Sequence, residues 1–282
     1  MKPDQAPLVS AEWLMQHRDE CVLLDASIDR RAGPQGTEYA SGLDRFLNEG
    51  HIPGAQFADL FGDFSDPCGA FAFTRPKAAG LQATLRRLGI DDCTRVVVYD
   101  ALNGVWAARV WWLLQSAGLE HSAVLDGGLA RWRAAGGELA CGPAVAPEPG
   151  QVCVREIPGR LVDLAQVMAT QAAGRPLVCA LSSTSYAQDG HIPGSVNLAY
   201  ADLLDDHGLL NLERLPAQLQ SLALSSDDPL LLYCGGGVNA CGLALALTAA
   251  GHDPDRLSVY DGSLNEWRAD PQRPLATGTD RA

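Results

Sequence analysis

One segment of this 282-residue chain pairs a nucleophile with a backbone able to activate it: Tyr233-Cys234-Gly235-Gly236-Gly237-Val238-Asn239-Ala240. The cysteine ends an apolar run, and a helical pattern follows it. Three consecutive glycines cost backbone entropy and fill no core. They make sense where a chain curls tightly with its N–H groups turned inward. Such a nest, opening a helix, attracts negative charge. Here the charge would be a thiolate, or the sulfur it carries. A free cysteine has a pKa of about 8.5, and amide donors at a helix N-terminus favour the thiolate. The segment contains no Lys, Arg or His, so the backbone must supply this help. A thiolate so placed can attack the outer sulfur of a donor, become a persulfide and hand the sulfur to a second nucleophile. An inert cysteine beside a glycine-rich turn is the alternative. A cysteine phosphatase is a weaker one still, because its phosphate-clamping arginine would stand six residues on, where this chain has Ala240.

The elements that position this segment occur twice. His51-Ile52-Pro53-Gly54 recurs as His191-Ile192-Pro193-Gly194, 140 positions on. Val97-Val98-Tyr99-Asp100 matches Leu231-Leu232-Tyr233-Cys234 at a spacing of 134. Asp126-Gly127-Gly128-Leu129-Ala130-Arg131-Trp132 matches Asp261-Gly262-Ser263-Leu264-Asn265-Glu266-Trp267 at 135. Three landmarks in one order mean two copies of one fold. Cys141 to Gly150 reads CGPAVAPEPG, a proline- and glycine-rich stretch that marks an exposed linker. The expected domains are residues 7–140 and 160–277, joined by 141–159.

Within each copy, strands are expected at 96–99 and 122–125, and at 230–233 and 257–260. The apolar runs suit strands buried on both faces. Helices are expected at 106–117 and 240–250, each stopped by a glycine, Gly118 or Gly251. Strand–helix–strand units imply an α/β fold, a mostly parallel sheet with helices on both faces. In such sheets the reactive loop follows the carboxyl end of a strand. Asp100 and Cys234 hold that place.

Apolar residues make up 47 % and charged residues 20 %, which is ordinary for a globular chain able to build a core. A net charge of −13 argues against partners such as nucleic acid or anionic membrane. No apolar run approaches the roughly 20 residues that span a bilayer, and the N-terminus lacks a secretory pattern. Eight cysteines without C-x-x-C pairs or zinc spacing fit a reduced, cytoplasmic chain with no metal. No Walker loop or G-x-G-x-x-G appears, so no cofactor is implied.

The Cys234 loop resembles the C-G-[S/T]-G-V-T active loop of the tandem-domain rhodaneses, closest to the thiosulfate/3-mercaptopyruvate sulfurtransferases. The resemblance extends over nearly the whole chain. It includes Leu24-Asp25-Ala26, both His-Ile-Pro-Gly motifs, Arg109-Val110-Trp111-Trp112, the Asp126–Trp132 motif, and Tyr260-Asp261-Gly262-Ser263 with Trp267. It implies two rhodanese-like domains, the first silent because Asp100 stands where the second has cysteine. It implies transfer of a sulfane sulfur from thiosulfate, 3-mercaptopyruvate or a related donor, through a Cys234 persulfide, to cyanide, a thiol or a protein thiol. A persulfide carrier or binding module without turnover is the other class it allows. Cys234 would be catalytic. Gly235, Gly236, Gly237, Val238, Asn239, Ala240 and His51 would meet the substrate.

The departures concern the donor. Where the family has an aspartate and two arginines in the second domain, this chain has Cys179, Leu181 and Ser185. The loop that carries a further arginine is shortened to Ala187-Gln188-Asp189-Gly190. A guanidinium fork is hard to replace where a carboxylate must be held. Either the donor is different, neutral or protein-bound, or arginines of the first domain such as Arg30 and Arg31 supply the charge. Gly236 replaces a hydroxyl residue and Asn239 a threonine.

His51 has two readings, a donor to the substrate carbonyl and a brace for the Pro-Gly turn. Cys179 reads as a small core residue, or as a resolving thiol. Cys241, two helical turns after Cys234, reads as core. Trp111, Trp112, Trp132 and Trp267 are expected to be packing residues.

Overall fold

The computed structural model describes residues 6–33, 36–225 and 227–278. Of the N-terminal stretch read above, residues 1–5 lie outside the described residues. The chain divides into two compact units, Met1–Cys68 with Arg75–Ile157, and Gly69–Thr74 with Pro158–Ala282.

The first unit has a five-stranded sheet of β1 (Leu8–Val9), β2 (Cys21–Asp25), β5 (Gln56–Phe57), β6 (Arg95–Tyr99) and β7 (Ser122–Leu125). An antiparallel hairpin of β3 (Ile28–Gly33) and β4 (Gly36–Ser41) stands apart from it. The second unit has β8 (Leu161–Val162), β9 (Leu177–Cys179), β10 (Val196–Asn197), β11 (Leu230–Tyr233) and β12 (Leu257–Tyr260). The strand orders are β1-β7-β6-β2-β5 and β8-β12-β11-β9-β10, and every pairing is parallel. The two sheets therefore share one topology, as the repeat requires.

In both sheets the middle strand is buried on both faces. Val96 to Tyr99 and Leu230 to Tyr233 are all buried, which is why these runs are apolar without alternation. The helices behind them, Val105–Ser116 and Val238–Ala249, are buried along almost their whole length. Trp111, Trp112, Trp132 and Trp267 are packing residues, each at most 2 % exposed. Both helices begin earlier than the sequence pattern suggests, at Val105 and Val238. A glycine with left-handed φ, Gly104 or Gly237 (both +80°), closes the loop and starts the helix at once.

Two tyrosines lock the strands to the His-Ile-Pro-Gly turns. The Tyr99 hydroxyl accepts from the Ile52 N–H at 3.0 Å, and the Tyr233 hydroxyl from the Ile192 N–H at 3.1 Å. Tyr233 also shares a 2.6 Å bond with the Ser195 hydroxyl. Residues 141–159 carry no helix or strand. Their Gly150 and Arg155 N–H groups bond the Arg86 and Ala117 carbonyls at 2.8 and 2.9 Å. No helix among the described residues is long and apolar enough to cross a membrane. No group of three His, Cys, Asp or Glu among them could hold a metal.

Candidate active site

The first unit shows what the loop after the middle strand is built to hold. Asp100 ends β6 and is 1 % exposed. Its Oδ1 accepts from the N–H groups of Leu102 (2.8 Å) and Gly104 (3.1 Å). Its Oδ2 accepts from Trp106 (3.1 Å) and Ala107 (3.0 Å), in the first turn of the helix. Four backbone donors thus close on one carboxylate. Burial pushes the Asp100 carboxyl above its ordinary value, and the four N–H groups pull against that rise.

Cys234 ends β11, the equivalent strand, and is 2 % exposed. Its N–H donates to the Ser263 hydroxyl at 3.1 Å, and that hydroxyl donates to the Tyr260 carbonyl at 2.8 Å. The Cys234 carbonyl accepts from the Leu264 N–H (3.0 Å), and the Gly235 carbonyl from the Asn265 N–H (2.9 Å). In the first unit the Asp100 carbonyl accepts from Leu129 at the same 3.0 Å. The two loops differ in length: Gly104 comes four residues after Asp100, whereas Gly237 comes three after Cys234.

Only the last of the three loop glycines is required by its backbone angle, φ +80° at Gly237. Gly235 and Gly236 are not in the left-handed region, so the expectation of a general curl holds at one position only. At Gly236 space is limited mainly by one movable side chain. A Cβ there would lie 3.1 Å from the Asn265 Nδ2, 3.8 Å from the Ala72 carbonyl oxygen and 3.9 Å from the Phe73 ring. A Cβ on Gly235 would meet only Leu181 Cδ2, at 4.0 Å. Gly237 and Val238 are buried, Asn239 is half-buried and Ala240 is buried.

Ala72 and Phe73 belong to Gly69–Thr74, which is part of the second unit although it is encoded in the first half of the chain. The segment is a tight turn: the Thr74 hydroxyl donates to the Phe71 carbonyl at 2.7 Å, and Phe73 has φ +62°. A left-handed aromatic residue is a strained one, and such strain gathers at functional sites. Sequence reasoning missed this segment and Asn265. The turn carries no motif and lies about 160 residues from the loop it approaches, and Asn265 sits inside the Asp261–Trp267 repeat motif, where its type gave no sign of a role.

Leu181 is half-buried and packs on the core. The carboxamide nitrogen of Asn197 donates to the Cys179 and Leu181 carbonyls at 3.0 and 2.7 Å, which fixes the turn after β9. Ser185 lies in the helix Ser183–Gln188, which Ser182 caps. Cys179 is fully buried beside Tyr233, and burial raises its thiol pKa to about 12. It is therefore a neutral core thiol at neutral pH, as the blander of the two readings had it. Cys241 donates to the Gly237 carbonyl at 3.1 Å and is also core.

His51 is 3 % exposed. Its ring stacks on Phe46 at 3.7 Å, and Nδ1 donates to the Phe46 carbonyl at 2.9 Å. His191 repeats this on Tyr186, at 3.7 and 3.0 Å. The same construction in both units is that of a brace for the Pro-Gly turn. Arg30 and Arg31 lie exposed on β3, and Arg31 pairs with Asp29 at 3.6 Å.

Comparison with known proteins agrees with this geometry. The rhodanese-like domain matches residues 10–135 and again 163–270. Mycobacterium tuberculosis SseB, provisionally named a thiosulfate sulfurtransferase, is 37 % identical over 245 residues, 82 % of this chain and 84 % of that protein. The 3-mercaptopyruvate sulfurtransferase of Rattus norvegicus is 32 % identical over 296 residues, 96 % and 95 % of the two chains. The crystal structure of SseA from Escherichia coli, described as a 3-mercaptopyruvate sulfotransferase of the rhodanese fold, superposes with a TM-score of 0.81. It is 28 % identical and covers 92 % of this chain and 98 % of its own.

Proposed function

The chain belongs to the rhodanese family, and from that premise we infer that it is a sulfurtransferase whose Cys234 carries the sulfur between donor and acceptor. The observation behind this reading is the Asp100 carboxylate. In the first unit the loop after the middle strand holds one negative charge on four backbone N–H groups. Cys234 starts the corresponding loop in the second unit, one residue shorter before its left-handed glycine, so its thiolate, and then its persulfide, would take that charge. The amides of Gly237, Asn239 and Ala240 correspond to those of Gly104, Trp106 and Ala107 and are the proposed donors. The segment Gly235 to Ala240 would thus form the sulfur cradle, with His51 bracing its own unit.

The reaction balances simply. The Cys234 thiolate attacks the sulfane sulfur of a donor such as thiosulfate, the sulfur–sulfur bond breaks, and sulfite leaves with the electron pair. The persulfide then gives its outer sulfur to cyanide, a small thiol or a protein thiol, and the Cys234 thiolate returns. The substrates are accordingly a small-molecule donor and a nucleophilic acceptor. A protein acceptor, a cytoplasmic location, and domain limits near 7–140 and 160–277 belong to the same proposal.

Intact mass tests it. Incubation with a sulfur donor should add about 32 Da to the peptide containing Cys234, and cyanide should remove it. A chain that gains no sulfur on that peptide from any donor would refute the reading.

A further inference from the structure

The sequence leaves open how a donor is held, and the second unit answers part of that question. Its described residues include no lysine, because Lys2 and Lys77 are the only ones in the chain. Each of its six described arginines is engaged elsewhere. Arg160 pairs with Asp255 at 2.7 Å, and Arg175 donates to the Thr170 hydroxyl at 3.2 Å. Arg214 and Arg256 donate to the carbonyls of Asp202 and Asp227. Arg268 caps the helix Ser183–Gln188 through the Asp189 and Gly190 carbonyls, and Arg273 bonds those of Glu266 and Trp267.

The atoms nearest Gly235 and Gly236 are uncharged. The Asn265 carboxamide and the Ala72 carbonyl lie beside Gly236 with the Phe73 ring, and Leu181 lies beside Gly235. Asn265 is exposed, and its backbone is tied to the loop through the Gly235 carbonyl. A nest of this kind takes one negative charge, as the Asp100 copy shows, and the sulfur on Cys234 uses it. Among the described residues of the second unit, a second negative charge on the donor would find dipoles and apolar surface beside Gly235 and Gly236, and no uncommitted lysine or arginine. The net charge of −13 further disfavours the approach of anions.

We propose that Asn265 and Phe73 are specificity-determining residues, and that they select a sulfur donor carrying no negative charge of its own, such as a neutral thiol ketone. This rests on the sulfurtransferase reading above. With 1-mercaptopropan-2-one the Cys234 thiolate attacks the thiol sulfur, and the carbon–sulfur bond breaks. The electron pair leaves on the enolate of acetone, which takes a proton from water, and Cys234 keeps the sulfur as a persulfide. The Asn265 side-chain carboxamide is the donor for the oxygen on which the enolate charge gathers.

The test compares 1-mercaptopropan-2-one with 3-mercaptopyruvate, which differs from it by a carboxylate, and with thiosulfate. Initial rates of the 32 Da gain on the full chain are the readout, taken as about 32 Da for one sulfur. The neutral ketone should give a kcat/KM at least about tenfold above that of 3-mercaptopyruvate, a difference of about 1.4 kcal/mol. Equal or faster loading from 3-mercaptopyruvate or thiosulfate overturns the proposal while leaving sulfur transfer intact. No loading from any of the three overturns both. Asn265→Arg supplies the second arm, at an exposed position where the fold should tolerate it. It should shift the ratio of anionic to neutral donor about tenfold toward the anions. An unchanged ratio, with thermal unfolding also unchanged, removes Asn265 from the donor site.

Discussion

The backbone N–H of Cys234 donates to the hydroxyl of Ser263 across 3.1 Å, and Ser263 holds this position at φ +49°. Gly128, its counterpart in the first unit, has φ +53°. The second unit therefore keeps a side chain where the backbone would prefer glycine, and that side chain is what fixes the reactive loop. Ser263→Ala keeps the unfavourable angle and leaves a buried N–H without its partner. It should lower stability by about 1–3 kcal/mol and slow sulfur loading of Cys234. Ser263→Gly relieves the angle but not the lost bond, so its stability should fall between the two. Urea unfolding of the three proteins gives this order, and equal midpoints would show that the loop does not lean on Ser263.

Cys234→Ser should abolish the 32 Da gain, about the mass of one sulfur, while the protein still unfolds cooperatively near the wild-type midpoint. The hydroxyl cannot hold a sulfane sulfur, and the change in volume at this buried position is small. Cyanide-dependent thiocyanate release at the wild-type rate from this variant would place the chemistry on another residue.

Cys179 should stay a bystander. Burial raises its thiol pKa to about 12, so at pH 8 it offers almost no thiolate. Cys179→Ala should leave sulfur loading within about twofold of wild type, with a stability loss of about 1 kcal/mol from the deleted sulfur atom. Peptide mapping after loading should show no Cys179–Cys234 disulfide. A disulfide there would make Cys179 a resolving thiol.

Phe73→Gly removes an aromatic ring from a left-handed position, φ +62°. The backbone gains about 1 kcal/mol from glycine at such an angle, against the loss of a half-buried ring. The expected result is a small change in stability and a loss of discrimination between neutral and anionic donors. The donor ratio of the preceding inference measures it, and an unchanged ratio assigns the ring to packing.

Two buried carboxyls make the first unit sensitive to pH. Burial raises Asp25 and Asp100, each lifted further or held back by its neighbours. A carboxyl raised on folding binds protons more tightly in the native state. Stability should therefore increase as pH falls from neutral through the raised values toward the ordinary carboxylate range, about pH 4, and gain nothing below it. Asp25→Asn should flatten that part of the stability–pH curve. Unfolding midpoints of the two proteins between about pH 7 and pH 4 decide the point, and parallel curves would count against it.

Much of this was legible in the sequence because it is carried by local patterns. The buried strands 122–125 and 257–260 are observed at those residues, since short apolar runs between turn signals leave few alternatives. The equivalence of Asp100 and Cys234 followed from repeat spacing alone. The hairpin β3–β4 was not anticipated. It occupies the stretch between β2 and His51, which runs 26 residues from Asp25 against 12 from Cys179 to His191. The neighbours of Gly236 were invisible for another reason. Asn265 and Phe73 reach the loop through tertiary packing, and neither residue type announces a function.

The carboxylate inside the first unit has a consequence for stoichiometry. Asp100 is tethered to the nest it fills, at an effective concentration no dissolved ion can match. That loop is a socket stoppered from within by its own side chain. On the proposed mechanism, sulfur held in a nest of this kind should then saturate at one equivalent per polypeptide, although the sequence encodes the socket twice. Nor can the stopper simply be trimmed away. Alanine at this position would strand four inward-facing amide hydrogens that Asp100 now satisfies, so this copy of the loop has to keep an acceptor of its own.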